Sequence, residues 1–423
     1  MLIYKQSLEV KDGPTTAPKE ASMPTSTTVA SQATVSESNR SRILQHLYYH
    51  GICSRAQIAK ALGLTPAAIT KITARLIEAG IIEETGDMEG RLNRRSIGLN
   101  LDPTRFHVIG VKFARSLVEI GVFDLSGTAL SIEDLPTVSE DTIPQTIADI
   151  HTKVGALLDA DPAIIAIGMA VPGPYLREAG YTTVVSSMQG WRTINFLDEF
   201  DTAFRVPVFV EQDARAGVLA QHLFSDDGHC NNLAYYLLGE GVGLGVIDHG
   251  NLINGAQGTA TELGHTSVDV NGLPCDCGNV GCLERYCSAN AIHERINAAG
   301  IIADSPLMTH RQACNALFGL VCDGDRQATA ILDEASRYIA YGCVTICNMF
   351  NPERIILGDI VSGAGQRLLD IVRDITSRRV SAEVIEATDI RLSQLPADAT
   401  VAGAAAVAIT QFLTTPSRFF DIS

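Results

Sequence analysis

The stretch "ELGHTSVDVNGLPCDCGNVGCLERYCS", Glu262 to Ser288, holds four of the chain's ten cysteines and one histidine in a glycine-rich run. Cys275, Cys277 and Cys282 form C-x-C-x4-C. Gly278 and Gly281 permit tight turns that aim several sulfurs at one point. Zinc takes four nitrogen or sulfur ligands in a tetrahedron. His265 is a ready fourth ligand, and Cys287 is the competing one. With all four positions filled by side chains, such a zinc ion is structural rather than hydrolytic. The other cysteines, at 53, 230, 314, 322, 343 and 347, sit in apolar or helical surroundings and are expected in the core.

A metal is favoured over a disulfide only in a reducing compartment. The opening "MLIYKQSLEVKDG" is charged and lacks an apolar segment of leader type, and no run of about 18 apolar residues occurs. The expectation is a cytoplasmic protein without membrane insertion. Its 423 residues call for two or three domains.

The net charge of −16 disfavours general nucleic-acid binding, but it is unevenly spread. Arg40 to Asn100 carries nine basic and five acidic residues, a net +4, leaving −20 for the rest. A basic module on an acidic body suits a DNA-reading head on a ligand-sensing body.

The local patterns agree. Residues 1–38 end in a Ser/Thr/Ala/Pro-rich run without apolar period and read as a disordered tail. Ile43, Leu44 and Leu47 then start a helical pattern that stops at Gly51. Ser54 and Gln57 form a capping box for a second helix ending at Gly63. In a third, Thr65 caps, Pro66 takes the first position, and Ile69, Ile72 and Leu76 share one face. "IIEETG" and "RRSIGLN" read as a hairpin around a charged turn. Three helices and a hairpin over 39–100 make a winged helix-turn-helix. Thr65, Ala67, Thr70 and Lys71 would face DNA from the third helix. Arg91, Arg94 and Arg95 on the wing suit a narrow minor groove.

Beyond residue 101, buried strands such as "AIIAIGMAVPG", "VPVFVEQDA" and "NLAYYLLGEGVGLGVID" alternate with helices, the signature of an α/β body. "LGEGVGLGVI" is either a phosphate-cradling turn or a plain tight hairpin. Glu240 at its tip would repel a phosphate. Asp213 ends a buried strand, placed either to accept a proton from a hydroxyl or to cap the next helix.

Gly258, Glu262, Leu263, Gly264 and His265, followed by C-x-C-G-x-x-G-C-L-E ending at Glu284, resemble the signature of the ROK family of repressors and sugar kinases. "AVPGP", "EQDARA" and "LGEGVGLG" fall in that family's order, and the winged head is similar to the repressor branch. The resemblance implies a two-lobed, actin-like, sugar-kinase-like body. One lobe would span 101–220 plus a C-terminal helix, 398–415. The other, 221–397, would hold the zinc site and the dimerisation helices. It implies that Asp213 matches the kinase base, and that Glu262, His265 and Glu284 bond sugar hydroxyls, with His265 also on zinc. It implies operator DNA and a sugar-type effector as partners, in a homodimer or homotetramer. A transport protein is the alternative inducer.

The departures bear on activity. Lys112 stands where the kinases' phosphate-loop Asp would be, and Ala114 and Arg115 replace glycines. Glu240 replaces a Thr, and Asp359 interrupts a Gly-Gly pair. Ser187 stands where a sugar-binding Asn is usual. These changes argue for a DNA-binding regulator of carbohydrate genes rather than an enzyme. A kinase with a regulatory head is the runner-up.

Overall fold

The structure is a computed structural model that describes residues 32–88, 96–185, 188–225, 230–395 and 399–422. Arg91, Arg94, Arg95 and Ser187 lie outside the described residues. No described helix is long and apolar enough to cross a membrane.

The head has helices at Gln32–His50, Arg55–Leu62 and Pro66–Glu78, and strands at Glu83–Met88 and Ser96–Asn100. Its caps are those expected. The Ser54 hydroxyl accepts from Gln57 N while Gln57 answers in kind, and Thr65 accepts from Ala68 N. Ile69, Ile72 and Leu76 are buried. The sequence reading omitted a two-residue strand, Cys53–Ser54. It pairs with Ser96–Asn100 and makes the wing a three-stranded sheet.

The tail boundary is a correction. The first helix begins at Gln32, inside the stretch read as disordered, so the disordered assignment fails for 32–38. Composition hid this because the anchoring is tertiary. Glu37 binds Arg40 and accepts from the backbone N and hydroxyl of Ser417, 380 residues away.

Two five-stranded mixed sheets form the body. The first runs Val208–Gln212, Ile164–Val171, His107–Phe113, Val118–Asp124, Ala129–Asp134, and only its first three strands are parallel. The second runs Asn251–Leu252, Val242–Asp248, Leu233–Leu238, Arg354–Gly358, Asp389–Leu392. Helices Asp213–Phe224 and Ala399–Thr414 pack against each other between the sheets. The close approach rests on small residues. A Cβ on Gly168 would lie 1.8 Å from the carbonyl oxygen of Ala404, so only glycine lets the C-terminal helix lie on that strand. Two lobes on paired sheets, joined by crossing helices, are the actin-like architecture.

Of the cysteines expected in the core, Cys53, Cys230, Cys314, Cys343 and Cys347 are buried. Cys322, at the end of its helix, is exposed, which corrects that reading.

Candidate functional site

Between the lobes lies a cavity of about 290 Å³, and Asp213, Glu262, His265 and Glu284 all line it. Four residues scattered over 72 positions of sequence thus meet at one place.

Asp213 is delivered by the strand Val208–Gln212 and opens the next helix. The capping role left open for it belongs to Gln212, whose side chain accepts from Arg215 N. Asp213 bonds only the N–H of Ala214 (2.6 Å) among the described residues, so its carboxyl faces the cavity. Burial pushes its pKa up to about 7, with Asp359 adding and Lys112 and Arg115 opposing. Glu262 precedes the short turn Leu263–His265, whose His265 N donates to the Glu262 carbonyl oxygen, and its carboxyl has no hydrogen bond or ion pair among the described residues. Burial pushes it up to about 8, and the nearby Asp213 and Glu284 add to the shift. Two carboxyls with no side-chain partner offer both acceptor and, when protonated, donor positions, which suits a ligand rich in hydroxyls.

The cysteine loop sits directly behind. The ligand atoms of His265, Cys275, Cys277 and Cys282 all lie within 4.8 Å of one another. Cys277 Sγ is 3.6 Å from Cys282 Sγ, and Cys275 Sγ is 3.7 Å from His265 Nδ1. A tetrahedral ion with metal–sulfur bonds of about 2.3 Å has edges of about 3.8 Å, so the four groups fit a metal. Gly278 and Gly281 take φ of 89° and 70°, the left-handed turns the sequence required. Cys287 is outside the cluster, and its thiol bonds Leu283 O in the core, so of the two candidates for a fourth ligand it is His265 that lies beside the three thiols. His265 has Nδ1 turned to the Cys275 sulfur and is also one of the residues that line the cavity.

The residues read in the sequence as departures from the kinase pattern make contacts of their own. Lys112 sits opposite Glu119 on the neighbouring strand, and its Nζ is 3.0 Å from that carboxylate. Asp359 adopts φ of 68°, a left-handed backbone that favours glycine, and pairs with Arg311 at 3.3 Å. A Cβ on Gly239 would lie 2.5 Å from the Asp359 carboxylate, so that carboxylate covers the glycine loop. Arg115 reaches across to Glu240 and Glu284.

Sequence reasoning missed Ser116 and Arg311 as parts of this lining. The one available signal was the paired change of charge, a basic residue in one phosphate loop and an acidic one in the other.

In the head, Thr65, Ala67, Thr70 and Lys71 are all exposed, on the side away from the buried Ile69/Ile72/Leu76 face. Thr70 turns its hydroxyl to Pro66 O, which leaves its methyl outward.

Comparison with known proteins gives concordant matches. A model described as "ROK family" matches residues 108–411, and one described as "Winged helix-turn-helix DNA-binding" matches 37–83. The chain is 30% identical over 348 residues to the DNA-binding transcriptional dual regulator NagC of Escherichia coli, covering 80% of this chain and 84% of that protein. It is 26% identical over 391 residues to the xylose repressor of Bacillus spizizenii, covering 91% and 98%. Among solved structures, a ROK family transcriptional regulator homologous to the E. coli MLC protein matches with TM-score 0.74 and 27% identity, covering 91% of this chain and 99% of that one. A ROK family glucokinase from Streptomyces griseus, in complex with glucose and AMPPNP, matches with TM-score 0.62 and 25% identity, covering 71% and 98%.

Proposed function

The chain belongs to the ROK family, and from that premise we propose that it is a DNA-binding transcriptional regulator, acting as a repressor of carbohydrate uptake or metabolism genes. The carrying observation is the union of a winged head with a cleft of unpaired carboxyls, in a body whose phosphate loops are occupied by Arg115, Glu240 and Asp359. The first feature supports operator binding. The second supports an uncharged, hydroxyl-rich effector. The third argues against nucleotide, because side chains stand where phosphates would approach the backbone.

Zinc is the metal best suited to three thiolates and an imidazole, and its role here is structural. It would fix His265 and thereby Glu262 and Glu284 on either side of the loop. A homodimer or tetramer is the natural assembly, since each head reads one half-site. The cytoplasm is the matching compartment.

A footprint of the full chain on DNA from its own genetic neighbourhood, released by one member of a sugar panel that includes N-acetylglucosamine and xylose, tests the proposal. Absence of any protected site overturns it. The observation favouring a kinase is Asp213 itself, which has the position and raised pKa of a base. Turnover of sugar with Mg-ATP, abolished by Asp213→Asn, would establish that reading instead. No turnover is expected.

A further inference from the structure

Arg115 stands in the turn joining strands His107–Phe113 and Val118–Asp124, closed by the bond from Ala114 N to Leu117 O (2.8 Å). It belongs to the first lobe, but its donors are spent on the second. Its backbone N–H donates to Glu240 Oε2 (3.0 Å), and Nη1 donates to the Glu240 carbonyl oxygen (3.0 Å). Nη2 donates to both carboxylate oxygens of Glu284, each at 3.1 Å. Ser116 reinforces the contact, donating its hydroxyl to Glu240 Oε1 at 2.7 Å. Trp191 Nε1 donates to the Arg115 carbonyl and holds the turn in place.

The backbone beneath is shaped for this contact. A Cβ on Gly241 would lie 2.4 Å from Arg115 Nη2 and 2.6 Å from Glu284 Oε2, so the loop's glycine makes room for an ion pair. The pair is shielded from water, with the side chains 13% and 8% exposed. Charge-assisted bonds of this kind are strong, and removing one partner leaves a buried charge.

Glu284 is one of the four groups that converge on the cavity, and both its oxygens are already taken, Oε2 also by the backbone N–H of Val242 at 3.0 Å. Asp213 and Glu262 have no such partner. We propose that Arg115 is a built-in occupant of the effector site: it ties the two lobes together when the cleft is empty and yields Glu284 to two neighbouring hydroxyls of an uncharged polyol. The ligand must bring two adjacent donors, because the guanidinium leaves both carboxylate oxygens and one donor cannot replace it. Arg115 thereby sets both the affinity of the effector and the closure of the lobes. The inference rests on the reading of the cleft as a ligand site.

Hydrogen exchange on the full chain, without ligand, tests the tie. In Arg115→Ala, peptides covering 114–117 and 239–243 should exchange about tenfold faster, the scale of one lost bond to a charged group. Peptides from strand Ile164–Val171 should be unchanged. Arg115→Lys keeps the charge without the fork and should show the same local change, which covers the case of a poorly folded alanine variant. Unchanged exchange at both segments overturns the tie. Titration calorimetry with D-xylose, D-glucose and N-acetylglucosamine tests displacement. A sugar that binds should bind Arg115→Ala about tenfold tighter than the native chain. Binding that weakens in the variant overturns this proposal alone. No binding to either protein overturns displacement together with the ligand-site reading.

Discussion

Asp213 and Glu262 set the pH range in which the cleft accepts a hydroxyl-rich ligand. Both line the cavity with no side-chain partner among the described residues, and burial holds Asp213 near 7 and Glu262 near 8. Ligand hydroxyls donate to the ionised carboxylates, so binding selects the deprotonated form and releases protons. Affinity therefore rises with pH through this window. Glu262 is ionised in about 1% of free molecules at pH 6 and about 90% at pH 9, so a ligand that needs it charged gains about 90-fold. Asp213 adds about tenfold over the same range. The sign for stability is opposite. Between about pH 4 and 8 the folded chain keeps protons that the unfolded chain has lost, so the ligand-free protein loses stability as pH rises through that interval. The assay is calorimetry of an effector sugar from pH 6 to 9, in two buffers of different ionisation enthalpy to count released protons. Glu262→Gln should remove the part of the slope above pH 7. A dissociation constant that does not change with pH, or a slope that Glu262→Gln leaves intact, refutes the reasoning.

Cys277→Ser should abolish a stoichiometric metal, measured by atomic absorption, and lower the melting temperature; retained metal would refute the ligand set. Lys71→Ala should weaken operator binding uniformly across sequences and reduce the slope of log K against log salt by about 1, the value for one phosphate contact. An unchanged slope would mean that Lys71 does not touch the backbone of DNA. Gly168→Ala places a methyl 1.8 Å from the Ala404 carbonyl oxygen. Both contacting groups are main chain, so the cost should reach or exceed the usual ~1–3 kcal/mol of overpacking, read from chemical denaturation.

The sequence disclosed what depends on local rules. The caps Ser54 and Thr65, the stops at Gly51 and Gly63 and the left-handed Gly278 and Gly281 need only nearby atoms, and each is found where expected. The metal cluster was also legible, since three of its four ligands lie within eight residues. Tertiary facts were not. The helix start at Gln32 depends on Ser417, and the exposure of Cys322 depends on which helix face the second lobe covers. Above all, Arg115 and Glu240 read as two separate losses of phosphate chemistry. Only the fold shows that they meet, 125 positions apart, and that one compensates the other.

The head is hydrogen-bonded to the first lobe and the segment after its C-terminal helix, which constrains how a ligand can reach DNA. Tyr48 donates to Leu125 O at 2.8 Å, and Glu37 holds Ser417 just beyond the C-terminal helix. Ile43, Leu44 and Leu47 share one continuous core with Val108, Phe123 and Phe412 of the first lobe and its helix, and that core runs on to Leu233, Tyr235 and Ile247 of the second. No comparable bond joins the head to the cysteine loop among the described residues. The Arg115 contact, in contrast, crosses between lobes. A change in closure would shift the second lobe against the first, to which the head's hydrogen bonds are made. In a two-fold assembly the spacing of the heads then depends on which lobe carries the contact between subunits. Contacts made by the second lobe convert closure into a change of head spacing, whereas contacts confined to the first lobe leave the spacing fixed. Cross-linking of the assembled protein with and without effector separates the two cases, because only the former couples ligand to operator with differential affinity for two states.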